Sequence, residues 1–458
     1  MIKRILLIIL GLIVLLLLIA AGVFYYISRP DPARVDFAEV TGPNPKITAP
    51  REQIFPTIGI AEALGWQDGA KPVAAEGLAV AAFATGLDHP RWLYRLPNGD
   101  ILVAETNSPP RPEGGGIAGW VMEKLLGEVG AAVPSANRIT LLRDADGDGV
   151  AETRTAFLTG LNSPYGMTLV GGDLYVANTD ALVRFPYETG QTAIKAKPET
   201  IVTYSPGGHW ARNVIASPDG KKLYLAVGSA TNIGEAGMAA ERERAVILEV
   251  DPAAKTKRIF AAGLRNANGM AFEPVSGKLW TVVNERDMLG SDLTPDYLTS
   301  VAAGEHFGWP YYYWGDHEDT RVKPGNPALK ARVRKPDYAL GPHVAPLGLA
   351  FAADARLGPA FASGAFIGLH GSWNRKPLSG YSVVFVPFGA DGKPAAGAKM
   401  VDVLTGFLTR DQKKAQGRPV GVITDQAGAL LVADDVGNVV WRVTARAPAP
   451  AAAPAAAR

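Results

Sequence analysis

The stretch PGGHWARNVIASPDG (residues 206–220) sets His209 and Arg212 three residues apart, immediately before an apolar run. A neutral imidazole can take a proton from a hydroxyl, and a guanidinium fork binds carboxylate or phosphate bidentately. Arg91, Arg265 and Arg418 occupy comparable positions before other apolar runs. Several arginines beside one histidine suit an anionic ligand and a proton-transfer step. His370 is a second candidate for the histidine role and His343 is intermediate, while His89, His306 and His317 read as loop or packing residues. With no cysteine in the chain, thiolate metal sites and cysteine nucleophiles are excluded. EHFGWPYYYWGDHED (305–319) supplies Trp309, Tyr311, Tyr312, Tyr313 and Trp314, which could stack on a sugar ring or flat cofactor, or simply pack a loop. DADGDGVAE (144–152) spaces Asp144, Asp146 and Asp148 like the start of a calcium loop. Thr155 stands where such a loop has its glutamate, so the run reads as an Asp/Gly-rich hairpin tip.

These residues are positioned by a repeated element: an apolar strand, a tight Gly-containing turn and a second apolar strand ending on a polar residue. It recurs at residues 89–106, 163–179, 209–229, 265–285, 344–372 and 417–435. Turns such as Asn98-Gly99 and Asp219-Gly220 are hairpin signals. Six such hairpins, with further strand-rich segments between them, predict an all-β, six-bladed β-propeller. A hairpin brings the start of its first strand and the end of its second to one edge of the blade. The polar residues at those positions therefore converge on one face, around a central channel.

The formal charge of +2 and the lack of a basic stripe argue against nucleic acid as a partner. Residues 5–27 form an uncharged apolar run preceded by Lys3-Arg4, which predicts a membrane-spanning signal-anchor helix with a cytoplasmic N-terminus and an exported body. The expected organisation is an anchor (1–29), a Pro-rich linker and packing arm (30–75), the propeller (76–445) and an Ala/Pro tail (446–458).

The motifs GGHWARNVIASPDGKKLYLAVGSATNIGE, GLRNANGMAFEP, NERDMLGSDLTPD with HFGWP, LHGSWNR, and GRPVGV with LLVADD occur in that order over residues 75–445. In this the chain resembles the glucose/sorbosone dehydrogenase family of quinoprotein sugar dehydrogenases, and most closely the sorbosone and pyranose dehydrogenase branch. The resemblance implies pyrroloquinoline quinone (PQQ) with Ca2+ as cofactors and oxidation of a sugar or sugar aldehyde, with hydride passing to the quinone. It makes His209 the base. It places Arg265, Asn266, Asn268, His370 and Arg418 on the cofactor, with Arg375 in place of a second family arginine, the backbone carbonyls of Glu285 and Arg286 with Asp287 at the metal, and Trp309 at the substrate cleft. By their strand-entry positions Arg91 and Arg212 join the cofactor set, and the aromatic run adds Tyr311 to the cleft. Electrons would leave to a separate acceptor, a quinone or cytochrome, from an inner-membrane protein facing the periplasm. Ser229 and Val420 depart from the soluble glucose enzymes, which have an aspartate and a second arginine there. Two other readings are open to the residues: a calcium-dependent lactonase using Glu105, Asn178, Asn284 and Asp434, and a non-catalytic binding propeller.

Overall fold

The computed structural model describes residues 2–51, 55–110, 124 and 127–446. Six antiparallel sheets, five of four strands and the fifth blade's of five with Val73–Ala74 added at its outer edge, stand around a common axis, as the six hairpins predicted. Each hairpin forms the two inner strands of a blade: Pro90–Arg95 with Ile101–Glu105, Met167–Val170 with Asp173–Ala177, and Val214–Ala216 with Leu223–Val227. The others are Asn266–Phe272 with Leu279–Asn284, Pro346–Phe351 with Gly364–Leu369, and Pro419–Thr424 with Leu430–Asp434. The turns close as their residues require, with Gly220 at φ +70°, a conformation that L side chains adopt only under strain. The fifth hairpin's long connection folds as two short 3-10 turns, Ala352–Asp354 and Pro359–Phe361.

The six innermost strands touch one another in a closed ring. Closure comes from the N-terminal side of the chain: Leu78–Ala84 is the outer strand of blade 6, paired antiparallel with Val439–Ala445. Between the blades lie apolar layers. Trp92, Leu93, Leu102 and Val103 of blade 1 pack in one layer with Tyr165, Met167, Leu174 and Val176 of blade 2. Each fully buried Leu or Val contributes about 1.5–3 kcal/mol, so this wedge of side chains is what holds adjacent blades together.

Before the closing strand, residues 31–51 and 55–66 run over the propeller as an arm. Gly42 pairs with Ala339 of blade 4, Glu62–Ala63 pairs with Lys414–Ala415, and Trp66 packs edge-on against Phe407 and Trp441. The N-terminal run is one helix, Ile2–Ser28, whose apolar side chains are exposed along its length. Its 24-residue stretch Lys3–Tyr26 is long enough, at about 1.5 Å per residue, to cross a bilayer. Beyond Arg446 the expected tail lies outside the described residues.

Candidate functional site

Strand register shows which face carries the polar blade edges. Pro90 faces Glu105, Asn266 faces Asn284, Pro346 faces Leu369 and Pro419 faces Asp434, so every hairpin opens toward the same mouth. In these four blades the register also slips within the first residues of the inner strand. Such bulges re-aim side chains. They fall at Arg91 and Asn268, two of the candidate ligand-binding residues.

Two charged clusters line the mouth. The first centres on Asp435, whose Oδ2 accepts from Arg91 Nη1 and, at 2.8 Å, from His370 Nε2; His89 Nε2 lies 3.6 Å away. Although burial opposes its charge, the carboxylate is held well below its usual range by His370, His89 and Arg91. Burial, then the positive charge of Arg418, pushes His370 down to about 3, and burial puts His89 at about 4. The cluster is therefore an Arg91–Asp435 ion pair with the neutral His370 donating to it and the neutral His89 beside it. Arg418 bonds the carbonyls of His370 (3.0 Å) and Gly371 (2.9 Å). Arg91, Trp210, His370, Arg418 and Asp435 share the wall of a 180 Å³ cavity with Asn107 and Ser108. His89, read from sequence as a packing residue, also lines this cavity.

The second cluster surrounds Arg265. Its Nη1 donates to Glu285 O (2.6 Å), its Nε to Asn232 O (3.2 Å), and its Nη2 to Asn232 Oδ1 (3.0 Å) and Asp287 Oδ2 (3.4 Å). Asn232 joins the parts: its Oδ1 also accepts from the Asp287 amide (2.9 Å), and its carbonyl from the Trp309 indole (2.9 Å). His343 donates one ring nitrogen to Asp287 Oδ1 (3.2 Å) and meets the Gly290 and Leu293 carbonyls, both at 3.1 Å, with the other. Burial works against its charge, but Asp287 raises its pKa. Burial likewise opposes the Asp287 carboxylate, and His343 and Arg265 keep it ionised. Glu285 is pushed up to about 7 by burial.

Beside the Arg265 cluster stands His209. Its ring Nδ1 lies 2.9 Å from the Ser229 carbonyl and 3.1 Å from the Ser229 hydroxyl, which itself donates to Thr231 O (2.7 Å). A carbonyl accepts only, so Nδ1 carries the proton and Nε2 keeps a free lone pair. This is the orientation that the Asp-to-Ser departure left open: the backbone supplies it. Burial, then Arg265, lowers the imidazole to about 3, so it is neutral across the working pH range.

Seven buried side chains at or beside this mouth keep polar atoms without any protein partner: Arg91 Nε, Tyr165 Oη, Asn213 Oδ1, Asn266 Oδ1, Asn268 Oδ1, Glu285 Oε1 and Asp435 Oδ1. A buried polar atom without a partner costs about 1–3 kcal/mol, so a cluster of them is what a polar ligand site looks like.

Two arginines expected on the cofactor, Arg212 and Arg375, are turned elsewhere. Arg212 is fully buried and donates to the carbonyls of Ser205, His209 and Ala211; with Arg244, which reaches Ser205, Pro206 and Gly207, it clamps the loop presenting His209. Arg375 bonds Ser291 O and Pro377 O and lies over Phe37 of the arm. The Arg286 side chain pairs with Asp319 and donates to the Asp287 carbonyl from Nε (3.0 Å) and Nη2 (2.8 Å), while its own carbonyl accepts from Thr294 Oγ1 (3.0 Å). Trp309 reaches the Arg265 cluster through Asn232, whereas Tyr311 contributes its carbonyl to the Asp319 amide.

The lactonase set does not assemble. Glu105 is fully buried and bonded to Arg138, Thr140 and the Asp88 amide, and Asp434 accepts from the Trp66 and Trp441 indoles. Among the described residues, the acidic group whose ligand oxygens lie within 4.8 Å of one another is Asp144, Asp146, Asp148 and Glu152, at a hairpin tip on the opposite face. There the carboxylates cap loop amides, Asp144 bonding Gly147 (2.7 Å) and Gly149 (2.9 Å).

The comparisons agree with this architecture. Residues 72–300 and 318–446 match the TrAA12-like family model, more than half of the chain. An uncharacterized protein of Borreliella burgdorferi is 33% identical over 237 residues, 51% of this chain and 60% of that one. A pyrroloquinoline quinone-dependent pyranose dehydrogenase of Coprinopsis cinerea is 32% identical over 125 residues, 24% of this chain and 16% of that protein. This chain thus spans less than two thirds of either relative. The holo form of the pyranose dehydrogenase PQQ domain from Coprinopsis cinerea superposes with a TM-score of 0.66 at 22% identity, covering 84% of this chain and 100% of that one. By the extent of the family match, this chain belongs to the TrAA12-like family.

Proposed function

We propose that the protein is a membrane-anchored, PQQ-dependent dehydrogenase of a sugar or sugar aldehyde, with His209 as the base. The observation that carries this is the set of unpartnered buried polar atoms at the mouth, between two arginine clusters and beside a histidine whose Nε2 is free. PQQ is a flat tricarboxylate, and the residues present fit such a group. Arg91, Arg418 and His370 would take carboxylates, and Asn266, Asn268 and Tyr165 the ring heteroatoms. A divalent cation would find hard oxygen donors in the carbonyls of Glu285 and Arg286 and in the Asp287 carboxylate. The Arg265 guanidinium and Thr294 hydroxyl already share those carbonyls, so the cation would use their second lone pairs. The names of the pyranose dehydrogenase relatives support the same cofactor and substrate class.

When bound, PQQ with its cation supplies a hydride acceptor. The chain's own part is to bind, orient and deprotonate. The Ser229 carbonyl fixes the ring of His209, which takes the substrate hydroxyl proton at Nε2. Arg212 and Arg244 hold its loop by the backbone. Asn232 keeps Arg265 and Asp287 in register, with Trp309 packed beside it. The helix Ile2–Ser28 and the basic Lys3-Arg4 support an inner-membrane anchor with the propeller in the periplasm. Electrons would pass from there to a quinone or cytochrome.

Titrating the purified full-length protein with PQQ and Ca2+, followed by absorbance, tests this reading. A saturable change bleached by an aldose or sugar aldehyde is expected. No binding in a folded sample would overturn it.

A further inference from the structure

From the course of the arm we infer that the mouth face of the propeller lies against the bilayer, with the channel opening into the lipid–water interface rather than into bulk solvent. This rests on reading the N-terminal helix as a membrane anchor and goes further by fixing the orientation of the enzyme upon it.

The tether is short and is fastened at the mouth. The helix ends at Ser28, and Asp31 is already held by the propeller and its arm. Its carbonyl accepts from Ser291 Oγ, its amide donates to Thr57 Oγ1 (2.8 Å), and its Oδ2 takes Arg51 Nε (2.7 Å). Arg51 also bonds Asp292 at 3.0 Å, as does the Arg34 amide at 2.8 Å. Ser291 and Asp292 belong to the connection between Leu279–Asn284 and Pro295–Val301, the loop that leaves the mouth beside Glu285 and Asp287. Three residues of extended chain reach about 10 Å, so the helix must leave the body within that distance of the mouth rim. The last turns of the helix also touch the arm, with Phe24 edge-on to Phe55 at 5.8 Å.

The surface around that exit is suited to an interface. Phe55, Ile58 and Trp373 are exposed, and Gly59 bonds the Trp373 carbonyl (2.8 Å), which brings Ile58 beside Trp373. Met238 and Val133, also exposed, sit on other loops that join second to third strands, and so on the same mouth face. On the opposite hairpin tips the exposed large apolar residues are Val150 and Val275, and beside Val150 stand Asp144, Asp146, Asp148 and Glu152. Aromatic rings favour the headgroup layer and carboxylates are repelled by anionic lipid, so both faces point the same way.

The native chain has no cysteine, which makes site labelling clean. Full-length Trp373→Cys, Met238→Cys, Val150→Cys and Val275→Cys would each be labelled with a fluorophore. Each is then reconstituted in vesicles of phosphatidylcholine and phosphatidylglycerol carrying a nitroxide headgroup. A six-residue strand spans about 20 Å, so labels at 373 and 238 should be quenched at least about twofold more than those at 150 and 275. Equal or reversed quenching in protein that floats with the vesicles overturns the orientation and leaves the anchor standing. Protein that does not float overturns the anchor and the orientation with it. PQQ titration of the same samples reports separately on the cofactor reading.

Discussion

Replacing His209 by asparagine separates its two ring nitrogens. The shorter amide can still donate toward the Ser229 carbonyl, 2.9 Å from Nδ1 in the native protein, but nothing replaces Nε2. Loss of a positioned base should lower kcat by about 10²–10⁴. That corresponds to about 3–5 kcal/mol on the barrier. PQQ affinity should change little, because the Asp435 cluster does not involve His209. Protonation gives an independent readout. In the protein without cofactor the ring is held at about 3 by burial and by Arg265, so its NMR signal should not titrate between pH 5 and 8. Steady-state turnover, cofactor titration by absorbance and histidine NMR together test the argument. Native-like turnover in His209→Asn, or titration of the free protein near the unperturbed imidazole value, would refute it.

Other outcomes follow from the same geometry. A Cβ at Gly228 would collide with Asn266 Oδ1 and lie 2.7 Å from His209 Cβ, so Gly228→Ala should weaken PQQ binding and turnover together, with native circular dichroism. Asp435→Asn leaves Arg91 buried without its counter-charge and should cost about 3–5 kcal/mol in urea unfolding, a loss that shrinks when PQQ is added. Asn232→Ala removes the bonds that align Arg265 with Asp287 and should weaken PQQ binding at least tenfold by absorbance titration; unchanged affinity would remove Asn232 from the site. His306 lies outside the site, and burial, then Arg332, lowers it to about 4. The unfolded chain takes that proton near pH 6.5 and the folded one only near 4. Stability is thus fully present above the unfolded value and is lost as pH falls, by up to about 3 kcal/mol at roughly 1.4 kcal/mol per pH unit. His306→Gln should flatten that part of the stability–pH curve in urea titrations.

The inner half of every blade was legible in the sequence, because alternating apolar residues and a turn glycine are local signals that act through the pleat and through backbone sterics. The mouth could be located for the same reason: register within a hairpin puts its two ends together. The motif-carried positions of His209, Arg265 and Arg418 were found this way, and all three face the mouth or its wall. What the sequence could not settle was direction at the strand ends. Asp434 and Asp435 are adjacent, yet one turns into the blade to meet two indoles and the other into the channel to meet Arg91 and His370. Successive side chains on a strand point to opposite sides, and a bulge of one residue reverses which is which. Arg91 and Arg212 look alike in sequence, but only the first faces the ligand cavity. Asn232 and Arg244 come from an irregular loop without period, so nothing local marks them as residues that hold the site. Ring closure by Leu78–Ala84 and the fastening of the arm at Asp31 join segments hundreds of residues apart. Such pairings are decided by which edges and surfaces remain unsatisfied once six blades have packed, and that is a property of the assembled ring.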